Sequence, residues 1–231
     1  MNRELLRSMT PEKLAVYFDH TQLRAYAVKK DFEKLCEESR SYGFKMVAIN
    51  PAPVALCKEL LKGTSVHVGA AIGFPLGQTT IEDKANETAN AINNGADEID
   101  YVVNLTELKE RNYSYVEREM ASIVEECRRN KVTSKVIFEN CYLTEEEKEA
   151  LCRIALEVKP DFIKTSTGFG TGGATFEDIQ LMKRMVGDEI QIKAAGGVRN
   201  LETALAMIEL GVSRIGSTAS VGIVEELKKE L

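Results

Sequence analysis

Along this chain, short apolar runs alternate with longer amphipathic stretches from end to end. Eight runs have strand character: VYFD (16–19), KMVAIN (45–50), VHVGAAIG (66–73), EIDYVVN (98–104), KVIFEN (135–140), DFIKTS (161–166), IQIKAA (190–195) and SRIGS (213–217). Their hydrophobicity is nearly continuous rather than alternating. That pattern marks strands buried on both faces, as in a parallel sheet. The intervals carry helical periodicity at 29–42, 51–62, 79–94, 113–130, 145–157, 176–186, 201–210 and 219–230. Stop and start signals agree. Gly43, Gly63 and Gly95 follow predicted helices, Pro51 opens one, and Thr144 with Glu147 spells a capping box.

Eight strands, each followed by a helix, predict an α/β fold of the (β/α)8 TIM-barrel type. Residues 2–9 and 11–15 read as short extra N-terminal helices that cover the floor of the barrel. No Pro/Gly/Ser linker or low-complexity stretch interrupts the chain, so residues 1–231 are expected to form one catalytic domain. The competing architecture, an open doubly wound sheet, normally has a glycine-rich turn after its first strand. Here the first strand runs into DHTQL and the glycines gather late.

Composition narrows the function. A net charge of −6, from 30 basic and 36 acidic residues, argues against a nucleic-acid partner but leaves room for a local phosphate pocket. No apolar run approaches a membrane span, and the N-terminus lacks the apolar core of a signal peptide, so a cytoplasmic location is expected. Cys36, Cys57, Cys127, Cys141 and Cys152 include no CxxC pair, and four of them fall in helical stretches, as expected of free thiols. His20 and His67 lie far apart, so neither a metal site nor a cofactor is expected.

Active residues of a barrel stand at the C-terminal ends of its strands. In order, those ends present Asp19, Asn50, Asp100, Asn104, Glu139, Lys164 and Lys193. The two lysines carry the most information. Lys164 in DFIKTSTGFGTGG and Lys193 in IQIKAAGGVR each end an apolar run and precede a Ser/Thr/Gly-rich loop. Burial disfavours an ammonium, and a neighbouring ammonium disfavours it further. A neutral amine can attack a carbonyl to form a Schiff base. One such lysine would be read as a strand-end side chain snorkelling to solvent. Two, with the same loop chemistry behind each, indicate a site. Asp100, inside EIDYVV, needs a cationic partner if it points inward, and the lysines are the candidates. The loops after the sixth, seventh and eighth strands (GFGTGG at 168–173, AAGGVR at 194–199, IGSTAS at 215–220) suit an anion held by backbone N–H groups.

These segments, together with DHT (19–21), IGFPLG (72–77), GADEIDYVVN (95–104), KVIFENCYLT (135–144), DFIKTSTGF (161–169) and SRIGST (213–218), resemble the 2-deoxyribose-5-phosphate aldolase family in order and spacing over nearly the whole chain. The resemblance implies a class I aldolase that reversibly cleaves 2-deoxy-D-ribose 5-phosphate to glyceraldehyde 3-phosphate and acetaldehyde, in deoxyribose catabolism. It implies Lys164 as the Schiff-base lysine, Lys193 as the second lysine that keeps Lys164 deprotonated, and Asp100 as the proton relay. Asp19 and Thr21 would support that relay. Gly168, Gly196, Gly197, Gly216 and Ser217 would fall in the phosphate-binding loops. The family pattern also implies a homodimer or homotetramer. Two positions depart from it: Ala48 replaces a frequent cysteine, and Phe169 replaces a lysine found in some members. The alternatives are another Schiff-base barrel aldolase of transaldolase type, a non-catalytic phosphosugar-binding barrel, and a barrel isomerase working by carboxylate acid–base chemistry.

Overall fold

A computed structural model describes residues 3–231 of the chain. Eight parallel strands, β1 (Phe18–Gln22), β2 (Met46–Ile49), β3 (His67–Ile72), β4 (Glu98–Val102), β5 (Thr133–Ile137), β6 (Phe162–Lys164), β7 (Gln191–Ala195) and β8 (Arg214–Ser217), pair in sequence order. The last pairs with the first, Asp19 opposite Gly216, and closes a TIM barrel. Its helices are α1 (Arg3–Ser8), α2 (Pro11–Ala15), α3 (Lys29–Tyr42), α4 (Val54–Leu60), α5 (Ile81–Asn93), α6 (Leu105–Lys109), α7 (Tyr113–Arg129), α8 (Glu145–Val158), α9 (Phe176–Val186), α10 (Leu201–Glu209) and α11 (Ser220–Glu230).

Local chemistry sets the helix boundaries. The hydroxyls of Thr80, Thr144 and Thr175 and the amide oxygen of Asn200 accept hydrogen bonds from the first turns of α5, α8, α9 and α10. Gly43 ends α3 in the left-handed region, at φ 71°.

Period-two alternation divides the strands. Val47, Ile49, Val68, Ala70, Ile99, Tyr101, Val136, Phe138, Ile163, Ile192 and Ile215 join helix residues such as Leu35, Met120, Leu151, Met182 and Ile223 in the apolar layer outside the barrel. The alternate positions fill the interior, and many of them are charged. Space there is tight: a Cβ at Gly69 would lie 2.3 Å from the Met46 sulfur.

The pattern of alternating strands and helices holds, with boundary shifts. The first strand was expected at 16–19 but runs from Phe18 to Gln22, because DHTQ pairs with β2 from Asp19–Met46 to Gln22–Ile49. Its polar residues belong to a strand because the barrel interior is itself polar. The second main helix was expected over 51–62 and is confined to Val54–Leu60, after a turn at Pro51–Pro53. The fifth strand ends at Ile137, and Glu139 leaves it at φ 57°. Helix α6, capped by Asn104, has no counterpart among the expected elements. Of the extra N-terminal helices, α1 packs against α10 and α2 against α11; the expected start at residue 2 lies outside the described residues. All five cysteines are free, and all but the partly exposed Cys141 are buried. Among the described residues, no helix is long and apolar enough to cross a membrane.

Candidate active site

Asp100 stands in the middle of β4 with Glu98 two residues before it, so both side chains enter the interior. Its Oδ2 accepts hydrogen bonds from Lys164 Nζ of β6 at 2.8 Å and Lys193 Nζ of β7 at 2.6 Å. Its Oδ1 accepts from Lys135 Nζ of β5 at 2.7 Å. Lys164 and Lys193 are register partners on adjacent strands, which brings the two amines to one oxygen.

The contacts continue beyond Asp100. Lys135 Nζ also meets Glu98 Oε2 at 2.5 Å. Arg214 of β8 reaches Glu98 at 3.2 Å and donates from Nε to Asp19 Oδ1 at 2.7 Å. Asp19 Oδ2 in turn pairs with Lys193 Nζ. Asp100, Lys135, Glu98, Arg214, Asp19 and Lys193 thus form a closed cycle of alternating anions and cations across the barrel. Every member is buried. Buried charges persist only when paired in this way, since desolvation of a lone ion costs several kcal/mol. Lys164 hangs on the cycle at Asp100 as the surplus cation.

That surplus decides which group gives up a proton. Burial disfavours the Lys164 ammonium, Asp100 favours it, and Lys193 and Lys135 oppose it; together they bring its pKa down to about 8. Burial pushes the Asp100 carboxyl upward, but the ammonium groups of Lys135, Lys164 and Lys193 outweigh it and hold the group well below the usual carboxylate range. Burial also works against the Lys135 ammonium, and Asp100, Glu98 and Asp19 override it, so Lys135 holds its proton more tightly than an ordinary lysine. The geometry bears on the expectation that Lys193 lowers Lys164: it contributes, but burial contributes more.

Lys164 and Lys193 open onto a cavity of about 540 Å³ at the C-terminal end of the barrel. Thr21, Ala48, Gly168, Phe169, Gly196, Gly197, Gly216, Ser217 and Thr218 also line it. Gly168, Gly196 and Gly197 have φ of 88°, 79° and 85°, a region open to glycine and strained for other residues. A Cβ at Gly197 would meet nothing within 4 Å, whereas at Gly216 it would lie 3.3 Å from Lys193 Cε. Ala195 Cβ would lie nearer still, at 3.1 Å, so Gly216 makes room for both Ala195 and the second lysine. The Ser217 hydroxyl donates to Val198 O at 2.7 Å and accepts from Ala219 N at 3.0 Å, which ties the loop after β7 to that after β8. Thr21 Oγ1 donates to the Asp19 carbonyl at 2.9 Å on the cavity wall. No side chain caps the N-terminus of α11, which follows Thr218 and Ala219.

The other polar strand ends serve the loops. Asn50 donates to Leu23 O at 3.3 Å, Asn104 caps α6, and Glu139 holds Thr167 through its backbone N–H and hydroxyl. Three members of the charge cycle, Lys135, Glu98 and Arg214, were not singled out from the sequence. Glu98 carried a readable signal, its period-two relation to Asp100. Lys135 lies in the middle of β5 and Arg214 opens β8, so a search of strand ends passes both over. Among the described residues, no group of three or more His, Cys, Asp or Glu side chains could hold a metal ion.

A parallel barrel whose C-terminal cavity ends on a buried lysine of lowered pKa, with a carboxylate and a second lysine in hydrogen-bond contact, is built for covalent amine chemistry on a carbonyl. Comparison with known proteins agrees. Residues 13–222 match the profile of the DeoC/LacD family aldolases. The deoxyribose-phosphate aldolase of Lactobacillus acidophilus is 55% identical over 219 residues, 95% of this chain and 92% of that protein. That of Bacteroides thetaiotaomicron is 52% identical over 231 residues, 99% of this chain and 97% of that protein. The solved structure of the deoxyribose phosphate aldolase of Aeropyrum pernix, a unique tetramer, superposes with a TM-score of 0.90 at 27% identity, the match covering 100% of both chains. The chain belongs to the DeoC/LacD family of aldolases.

Proposed function

We propose that the chain is a class I aldolase that reversibly cleaves 2-deoxy-D-ribose 5-phosphate to D-glyceraldehyde 3-phosphate and acetaldehyde. The observation that carries the reading is Lys164: buried, hydrogen-bonded to Asp100, lowered to a pKa of about 8, and open to the cavity. The neutral amine attacks the aldehyde carbon of the open-chain sugar, and loss of water leaves a protonated imine. The imine accepts the electron pair of the bond between the second and third sugar carbons. As that bond breaks, the third-carbon hydroxyl loses its proton and glyceraldehyde 3-phosphate departs. The remaining enamine is protonated on carbon and hydrolysed to acetaldehyde and free Lys164.

Asp100 and Lys193 move the protons, through a water. A carboxylate held by three ammonium groups is a poor base. When Lys164 becomes neutral, Asp100 loses one of those charges and its proton affinity rises just as the carbinolamine must dehydrate. Asp19 fixes Lys193 from the other side, and Thr21 braces the Asp19 backbone. Gly168, Gly196 and Gly197 shape the phosphate end, with Gly216 and Ser217 holding its wall and the start of α11 supplying free N–H groups. The catalytic unit is the single barrel of residues 1–231. It works in the cytoplasm as a homodimer or homotetramer.

Cleavage of deoxyribose 5-phosphate, followed as acetaldehyde release through a coupled alcohol dehydrogenase, tests the reading. Wild type releases acetaldehyde and Lys164→Ala loses at least about a thousandfold in rate, the scale expected when a covalent nucleophile is removed. Substantial activity in Lys164→Ala would instead support carboxylate acid–base chemistry without a covalent intermediate.

A further inference from the structure

Of the charge cycle only Lys193 lines the cavity, and Asp100 reaches it through Lys164 and Lys193. Glu98 and Arg214 do not line it, so neither meets a bound substrate. Both are nevertheless buried, at 1% and 5% exposure, and they close the circuit between Lys135 and Asp19. Arg214 and Lys135 lie within 6 Å of the buried Phe162 ring: Arg214 Cζ is 5.7 Å and Lys135 Nζ 5.9 Å from its centroid. His67, at the partly exposed start of β3, hydrogen-bonds Glu98 Oε1 through Nδ1 at 2.7 Å. The circuit therefore runs from the N-terminal end of the barrel to Asp100.

We propose that Glu98 and Arg214 are positioning residues for catalysis: their paired charges balance the cycle behind Asp100 and so set the charge that surrounds Lys164. The charged groups around Lys164 are Asp100 of β4, Lys135 of β5 and Lys193 of β7. Behind them stand Glu98, Asp19 and Arg214, with His67 against Glu98. Three carboxylates face four fixed cations. Remove the Arg214 charge and the numbers match with Lys164 protonated, so Lys164 keeps its proton to higher pH. Remove the Glu98 charge and the surplus grows, so Lys164 sheds its proton at lower pH. Remove both and the original surplus of one returns. No packing role predicts opposite shifts that cancel.

The inference rests on Lys164 being the reactive amine, and its test separates the two claims. The readout is the rate of ethylation of Lys164 by acetaldehyde with cyanoborohydride, followed by peptide mass mapping across pH. It needs neither turnover nor phosphate. In Arg214→Gln the midpoint of the labelling curve should rise by roughly one unit, and in Glu98→Gln it should fall by a similar amount, the scale of a nearby charge in a protein interior. The double variant, which removes one charge of each sign, should return toward the wild-type midpoint, and Arg214→Lys, which keeps the charge, should stay near it. If Arg214→Gln fails to fold, Glu98→Gln, close to isosteric, decides alone: a midpoint that does not fall overturns the proposal. Unchanged midpoints in both single variants, or shifts of the same sign, also overturn it. Absence of label on Lys164 in the wild type would instead overturn the Schiff-base reading itself.

Discussion

Replacing Lys193 by leucine removes the cation that joins Asp100 to Asp19, 2.6 Å from Asp100 Oδ2. The cluster then holds three carboxylates and three cations with Lys164 protonated, and the pressure on Lys164 to lose its proton eases. Its pKa should climb from about 8 toward the ordinary 10.5. Burial persists and Asp100 gains freedom to pair with Lys164, so the shift lies between about one unit and full return. At pH 7 a pKa of about 8 leaves roughly one amine in ten neutral, and a pKa near 10.5 leaves roughly one in three thousand. The neutral fraction therefore falls by about tenfold for a one-unit shift and by about 300-fold for full return. The sign follows from the direction: the deficit is greatest below the wild-type pKa and closes as pH rises through the new one. The assay is the initial rate of acetaldehyde labelling of Lys164 from roughly pH 6 to pH 10, with folding checked by circular dichroism. A midpoint that stays near 8 or moves down would refute the reasoning, whatever happens to turnover.

Two further outcomes follow from the same geometry. Asp100→Asn keeps the shape but cannot take and return a proton, so deuterium exchange into acetaldehyde should fall by at least about a hundredfold while affinity for deoxyribose 5-phosphate changes little; normal exchange with collapsed affinity would make Asp100 a binding residue. Gly197→Asp places a carboxylate on open cavity wall, so KM for deoxyribose 5-phosphate should rise at least about tenfold while kcat/KM for unphosphorylated deoxyribose stays within about twofold of Gly197→Ala, which carries the same backbone strain. Equal losses on both substrates would show that the loop after β7 shapes the barrel without selecting the phosphate.

The fold was legible because a parallel barrel writes itself as apolar runs separated by capped amphipathic helices. Eight runs and their order sufficed, and the errors fell where polar residues entered strands, as in Asp19–Gln22, or where prolines delayed a helix, as at Pro51 and Pro53. Lys164, Lys193 and Asp100 were legible for the same reason: a charge embedded in apolar surroundings stands out. Lys135 opens the apolar run 135–140 and Arg214 starts β8, where a charge reads as ordinary solvent exposure; β5 in fact begins two residues before Lys135. Only closure of the barrel turns those two inward and joins strands as distant in sequence as β1 and β8. Ser217 shows another limit. Its position beside a glycine suggested a phosphate contact, but its hydroxyl is already engaged by Val198 and Ala219. Gly216 shows a third: a side chain there would crowd Ala195, its register partner, and the Lys193 side chain, and only the folded barrel reveals those neighbours.

The central claim is that Lys164 forms an imine with the aldehyde. Incubation of the wild-type protein with acetaldehyde and borohydride, followed by proteolysis and mass mapping, tests it most directly. A stable ethyl group is expected on Lys164, formed in step with loss of activity, with no comparable label on Lys135 or Lys193, whose amines are held between carboxylates. Label found mainly on Lys193, or no covalent product while acetaldehyde release continues, would contradict it.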